Sequence, residues 1–180
     1  MPDNIKDLMS SINELLSQTK IDDVTSEGTG FEELPEGYYL CNVETATIKE
    51  SKSSGQPMVA FTFSVVEDGL SFRADDNGNA VQSTVKKSKG RKIFMYYVLK
   101  DTASVRRFVS DMLKFEGEEQ GKPLLDKEYF MNFEILESAL EMLEGSQIYI
   151  QISKSERDGN IRTWQNLISW KRVAALELPM

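Results

Sequence analysis

The sequence predicts an α+β fold, mainly β with added helices, in which five strands form a barrel and a helix lies between strands three and four. Two observations predict it. Segments rich in Val, Ile, Thr, Tyr and Phe alternate between apolar and polar residues, with the period of two that strands show. Three such segments precede, and two follow, a stretch whose apolar residues recur every three or four positions, as in a helix.

The first segment predicts an amphipathic helix over residues 4–18. Its apolar residues share one helical stripe: Ile5, Leu8, Met9, Ile12, Leu15 and Leu16. Residues 19–30, with Asp, Ser, Thr and two glycines, are typical of a linker. We therefore expect residues 1–30 to form an arm whose stripe docks on its own domain, on a second copy or on a replication-protein partner. Residues 31–180 then form the binding domain.

Five strands and two further helices are predicted within residues 31–180. The strands span 38–49, 57–66, 91–99, 148–153 and 161–173, and the helices span 101–115 and 133–143. Residues 67–90 are interpreted as a long polar excursion, and Asp158-Gly159 predicts a hairpin turn between the last two strands. A helix between the third and fourth of five strands is the chain order of the OB-fold, a partly open Greek-key barrel.

The residue types present argue against most catalytic and metal chemistry. The chain of 180 residues has no histidine and one cysteine, Cys41, which lies in an apolar strand and is interpreted as a buried core residue. The stretch 75–79, Asp-Asp-Asn-Gly-Asn, lacks the later Glu of a calcium loop and is interpreted as a solvated turn. We expect a non-enzymatic protein without metal or cofactor.

The sequence also predicts where the protein is located. No apolar run approaches the roughly 18 to 20 residues of a membrane span. The opening Met-Pro-Asp-Asn is acidic and polar, unlike the basic and then apolar layout of a secretory signal. We expect a cytoplasmic protein that does not bind membranes, located in the host cytoplasm if a bacteriophage encodes it.

The charge is distributed unevenly along the chain. The formal net charge is −8, but residues 1–36 and 116–144 each hold nine acids and two bases, or −7 each. The remaining, strand-rich residues therefore carry +6. A basic strand region beside acidic segments is compatible with a nucleic-acid partner, because Lys and Arg that contact phosphates release condensed counterions.

Two basic clusters are candidate phosphate contacts. The first, free of acids, comprises Lys86, Lys87, Lys89, Arg91 and Lys92. The second surrounds the last hairpin and includes Lys154, Arg157 and Arg162. A merely solvated surface is the alternative interpretation of either cluster.

Exposed aromatic residues on neighbouring strands are candidate stacking surfaces for bases. Alternation places Tyr149 opposite the inward row Ile148, Ile150 and Ile152, and it places Tyr96 and Trp164 on outward faces. We predict that these three aromatics form a platform flanked by Arg162 and Lys154. Phe94 and Trp170 are interpreted instead as core residues.

Several short motifs resemble a family of bacteriophage early-region proteins. They are Leu-Pro-Glu-Gly-Tyr at 34–38, Lys-Glu-Ser at 49–51, Ser-Gly at 54–55 and Pro-Met at 57–58, with Gly-Arg-Lys-Ile-Phe at 90–94 and Gly-Asn at 159–160. The resemblance covers roughly residues 34–173. It implies an OB-like single-stranded DNA-binding protein of phage DNA replication and recombination.

Three functions are compatible with these observations. The first is sequence-tolerant binding of single-stranded DNA through a basic, aromatic-lined groove. The second is a non-catalytic phage structural or interaction protein that contacts a protein partner through its acidic surface and N-terminal helix. The third, a hydrolase using carboxylates, requires two convergent carboxylates in a deep pocket.

Overall fold

The computed structural model describes residues 3–18 and 33–179, and the chain divides into two compact units, Met1–Leu34 and Pro35–Met180. In the first unit, the predicted helix is present as α1, Asp3–Gln18. Four apolar side chains on it, Met9, Ile12, Leu15 and Leu16, are 48–63% exposed. The linker predicted over 19–30 lies outside the described residues.

The second unit is α+β, as predicted, and its strands form one antiparallel sheet. The strands are β1 Gly37–Glu50, β2 Pro57–Val65, β3 Gly69–Ala74, β4 Ala80–Val85, β5 Lys92–Val98, β6 Gln147–Arg157 and β7 Asn160–Ile168. The helices are α2 Thr102–Met112, α3 Phe133–Leu143 and α4 Trp170–Ala175, with a 3₁₀ turn at Lys127–Phe130. All five predicted strands and both predicted helices of this unit are present.

The long strand β1 organises the sheet. One of its edges pairs with β2, from Cys41 opposite Val65 to Glu50 opposite Pro57, and meets β3 at Tyr38 opposite Leu70. The other edge pairs with β6, and β6 pairs with β7. The sheet therefore has three outermost strands. They are β4, which pairs with β3, β5, which pairs with β2, and β7, which pairs with β6.

The prediction of a five-stranded barrel is wrong in strand number and closure. The open sheet has seven strands, because the excursion over 67–90 contains the β3–β4 hairpin. Among the described residues, β5 and β7 each pair on one side only. The hairpin escapes sequence detection because most of its residues are exposed on both faces, so no apolar alternation marks them.

The predicted last strand also ends early. Strand β7 stops at Ile168, and residues 170–175 form α4 instead of continuing the strand to residue 173. Val173 and Leu178 from this C-terminal segment pack with Tyr149 and Ile168. The C-terminal segment therefore does not extend β7 but buries these side chains against the outer face of the sheet.

The main core lies on the inner face of the sheet, beneath α2 and α3. Its largest fully buried side chains include Tyr39, Phe61, Phe63, Phe108 and Leu140. Cys41 is fully buried, as expected, and burial raises its thiol pKa to about 12. The inward row of three isoleucines on β6 is also buried, as predicted.

A polar contact network joins α2 to β5 and β7. The Tyr97 hydroxyl of β5 donates to Asp111 Oδ2 of α2 at 2.9 Å. Lys114 Nζ donates to Asp111 Oδ1 at 2.6 Å and to the Leu167 carbonyl of β7 at 3.0 Å. Helix α2 therefore links two strands that do not pair with each other.

Candidate nucleic-acid interface

Strand β5 presents two aromatic rings to solvent. Its alternation buries Ile93, Met95 and Tyr97 and leaves Phe94 and Tyr96 51% and 56% exposed. The interpretation of Phe94 as a core residue is therefore wrong. The register explains this, because Phe94 lies opposite Thr62 on the outer face whereas Phe61 and Phe63 lie opposite the inward residues.

A groove of about 350 Å³ runs between β5, the start of α2 and β7. Tyr96 from β5 and Trp164 from β7 both line it, although 68 residues separate them in sequence. Lys100 and Arg107 line the same groove and bring two positive charges. Lys49 Nζ lies 5.6 Å from the Tyr96 ring centroid, within cation–π distance. The groove thus combines aromatic faces with cations.

The indole of Trp164 is held in place while part of it stays exposed. Its Nε1 donates to Ser155 Oγ of β6 at 2.8 Å, and the side chain is 44% exposed. Arg162 lies two residues earlier on β7, opposite Ser155, so it shares the strand face of Trp164. The structure thus places Trp164, Arg162 and Tyr96 on adjoining surfaces, as the predicted platform requires.

Tyr149 does not belong to that platform, and the prediction that it faces solvent is wrong. Its side chain is 7% exposed, and its hydroxyl donates to the Pro179 carbonyl at 2.5 Å. Burial, with a smaller effect of the Glu67 charge, raises its pKa. The cause is the C-terminal segment: Val173 and Leu178 cover the outer face of β6 at this point.

Lys154 also lies away from Trp164. It is opposite Thr163 in the ladder, whereas Trp164 is opposite Ser153, so alternation puts the two side chains on opposite faces. Lys154 lines a second cavity of about 540 Å³ with Arg73 and Glu36, and its backbone N–H donates to Glu36 Oε1 at 2.6 Å. It therefore does not flank the predicted platform.

Arg157 lies at the tip of the β6–β7 hairpin. Its side chain is 83% exposed, with Nε 3.9 Å from an Asp158 carboxylate oxygen. It joins neither cavity's lining. The members of the second basic cluster therefore lie apart. Arg162 is on the face of Trp164, Arg157 is at the hairpin tip, and Lys154 is on the opposite face.

The first basic cluster forms a fixed turn before β5. The Asp68 carboxylate accepts the backbone N–H of Ser88 at 3.0 Å and of Lys89 at 2.9 Å, and these bonds, that of Lys89 most of all, lower the Asp68 pKa. Lys87 has a left-handed φ of 62°. The side chains of Lys86, Lys87 and Lys89 remain exposed to solvent, where phosphates can reach them.

The other two members of this cluster are less available. Lys92 forms an ion pair with Glu44 across the outer face of the sheet. Arg91 is half-buried, and its charge partly offsets the effect of burial, which raises the Tyr39 pKa to about 12. Although residues 86–92 contain no acid, an acidic side chain from β1 therefore lies beside them on the surface.

Two basic residues that line the groove, and one that lies beside its Tyr96 ring, were not among the predicted contacts. Lys49 comes from β1, Lys100 follows β5, and Arg107 lies on α2. The only sequence signal is that Arg107 falls off the apolar face of its helix. Nothing in the local pattern brings these positions together, because their proximity depends on how α2 and β1 meet β5.

Comparison with known proteins gives a family without a known function. Residues 21–102, less than half of the chain, match a family described as a protein of unknown function, DUF669. The matched range contains β1 to β5. No curated protein matches the chain.

Two kinds of feature are absent from the described residues. Within residues 3–18 and 33–179, no helix is long and apolar enough to cross a membrane. The same residues contain no group of three or more Cys, Asp or Glu side chains placed to hold a metal ion.

Proposed function

We propose that this protein binds single-stranded DNA without strong sequence preference, through the groove between β5 and β7. The observation that carries the proposal is the pairing of exposed Tyr96 and Trp164 with Lys100 and Arg107 in one groove. Aromatic faces stack on any base, and cations follow the phosphate backbone, which is the combination used by sequence-tolerant single-strand binders.

The exposed aromatic rings favour a single strand over a duplex. Stacking needs bases whose faces are free, which a duplex does not offer. Phe94 and Tyr96, two positions apart on one strand face, lie roughly 7 Å from each other along β5. Two neighbouring unstacked bases can therefore use these rings, and Trp164 offers a third surface across the groove.

The proposed fold relationship is to a partly open OB-like barrel. Strands β1, β2, β5, β6 and β7 keep the OB chain order, with α2 and α3 between β5 and β6 and the β3–β4 hairpin as an insertion. The exposed rings of β5 then lie on the strand 2–3 face that OB domains use for oligonucleotides. The resemblance to phage early-region proteins supports a non-enzymatic role in phage replication or recombination.

A binding titration with matched variants tests the proposal. A fluorescently labelled oligonucleotide of mixed sequence is titrated with the wild-type chain, Tyr96→Ala and Phe94→Ala. Since a base stacked on an aromatic ring contributes roughly 1 to 3 kcal/mol, we expect each variant to raise the Kd by about 5- to 160-fold. The matched control is Phe133→Ala, because Phe133 is an equally exposed ring on α3. The proposal is contradicted if all three variants lose the same amount of affinity, or if none of them loses affinity.

A further inference from the structure

Strand β4 ends the sheet with a free edge. It pairs with β3 from Ala80 opposite Ala74 to Val85 opposite Gly69, and among the described residues it pairs with nothing on its other side. Five of its six residues are exposed. The edge therefore offers a row of backbone donors and acceptors that a further strand can pair with.

The hairpin that carries this edge is well ordered by its own contacts. Asp75 Oδ1 accepts the backbone N–H of Asn77 at 2.9 Å and of Asn79 at 2.8 Å, which fixes the turn. Ser71 and Ser83 are hydrogen-bonded across the two strands at 2.7 Å. A preformed edge lowers the conformational cost of pairing with another chain.

The edge lacks the usual protection against pairing. Exposed edge strands normally carry a proline or a charged residue, often Lys, that opposes sheet extension. Residues 77–85 contain neither proline nor any charged residue, and they include Val81 and Val85. Val81 is 48% exposed, so a valine lies on this unprotected strand where a partner strand can cover it.

The charges on either side of this neutral stretch identify the partner. Asp75 and Asp76 precede it, and Lys86 and Lys87 follow it. An antiparallel copy of the same strand brings the acidic end of each chain beside the basic end of the other, whereas a parallel copy opposes like charges. When all six residues of β4 pair, Ala80 lies opposite Val85 of the second copy, the two-fold axis passes between Gln82 and Ser83, and the turn that carries Asp76 lies next to Lys86.

We propose that β4 pairs with β4 of a second copy of this chain, antiparallel and about a two-fold axis, to form a continuous sheet. An isologous contact of this kind closes on itself and yields a dimer. Six paired residues bury less area than the roughly 1,600 Å² of a standard interface. The dimer is therefore weak and depends on protein concentration. This inference does not rest on nucleic-acid binding.

Charge exchange in the full-length chain tests the inference by sedimentation equilibrium over a range of concentrations. We expect the wild-type chain to self-associate, and Asp76→Lys and Lys86→Glu each to weaken that association by about tenfold or more. In an equimolar mixture, the two substituted side chains, now of opposite charge, face each other at one end. The native Asp76 and Lys86 face each other at the other end, so association returns. Lys171→Glu, on α4, is the matched control and leaves association unchanged.

Three results would overturn the inference. They are a wild-type chain that stays monomeric throughout, association that neither charge variant alters, and a mixture that associates no better than the separate variants. Because α1 also has exposed apolar residues, the mixture is the decisive sample: only contact between the two ends of the β4 region restores association there.

Discussion

At the scale of single residues, the structure separates two aromatic side chains that look alike in sequence. Tyr149 and Trp164 are both predicted on outward faces of adjacent strands, yet Tyr149 is 7% exposed and Trp164 is 44% exposed. The difference comes from the C-terminal segment, which covers Tyr149 and leaves Trp164 at the groove. We therefore expect Tyr149 to support the fold and Trp164 to be accessible to a ligand.

Alanine substitutions at these two positions should have opposite effects. Trp164→Ala is expected to weaken single-strand binding by about tenfold, which is the loss of one stacked base, with little change in melting temperature. Tyr149→Ala removes a large buried ring, for which about 3 to 5 kcal/mol is typical, so it lowers the melting temperature by roughly 6–20 °C. Thermal melts and oligonucleotide titrations of both variants measure this. A Trp164→Ala protein that unfolds would show that Trp164 is a core residue.

At the scale of elements, we expect the turn before β5 to contact phosphates and the arm to bind a second copy or a partner, and each expectation has its own test. The turn holds three exposed lysines on a backbone fixed by Asp68. The arm is the described helix α1, which belongs to a compact unit distinct from the strand domain.

The lysines of the turn are expected to contact phosphates outside the groove. Replacing Lys86, Lys87 and Lys89 by Gln should weaken binding and reduce the slope of log K against log salt by about 2, because each phosphate contact on a single strand contributes about 0.7. Titrations at several salt concentrations measure the slope. Lys122, Lys127 and Lys171 changed together to Gln give the same change in net charge elsewhere. An unchanged slope in the turn variant would remove these lysines from the interface.

The arm is expected to mediate self-association or partner docking without supporting the fold of the domain. Deleting residues 1–30 should leave the melting curve of the remaining unit nearly unchanged and shift its mass by light scattering toward the monomer, because the exposed apolar stripe of α1 is lost. An insoluble or unfolded product would show that the helix belongs to the core of the domain.

The elements also show what sequence could and could not predict. Four of the five predicted strands bury one face over part of their length, which imposes visible alternation, whereas β7 is marked by the hairpin turn that precedes it. Strands β3 and β4 lack that signal since most of their residues are exposed. No proline or glycine separates α4 from β7 in the sequence, and the packing that distinguishes them joins Val173 to Tyr149, 24 residues away. Likewise, Tyr96 and Trp164 could be selected by strand face, but Arg107 reaches the groove, and Lys49 reaches the Tyr96 ring, only through tertiary packing.

At the scale of the whole molecule, the proposal has to explain how a chain of net charge −8 would bind a polyanion. Much of the acidity lies in residues 1–36 and 116–144, outside the strands that form the groove. Exposed charges farther apart than about 10 Å are largely screened at 0.1 M salt, so the local cations determine phosphate binding. Two of them, Lys100 and Arg107, line the groove, and two lie beside its aromatic rings: Lys49 near Tyr96, and Arg162 on the strand face of Trp164.

The most direct test is therefore a salt series of fluorescence anisotropy titrations with a labelled single-stranded oligonucleotide and the same sequence as a duplex. Four phosphate contacts at the groove give an expected slope of log K against log salt of about −3, steeper if the lysines of the turn also contribute. The single strand should bind more tightly than the duplex at every salt concentration, because only its bases can stack on Tyr96 and Trp164. Absence of binding at low salt, or equal affinity for the single strand and the duplex, would contradict the account.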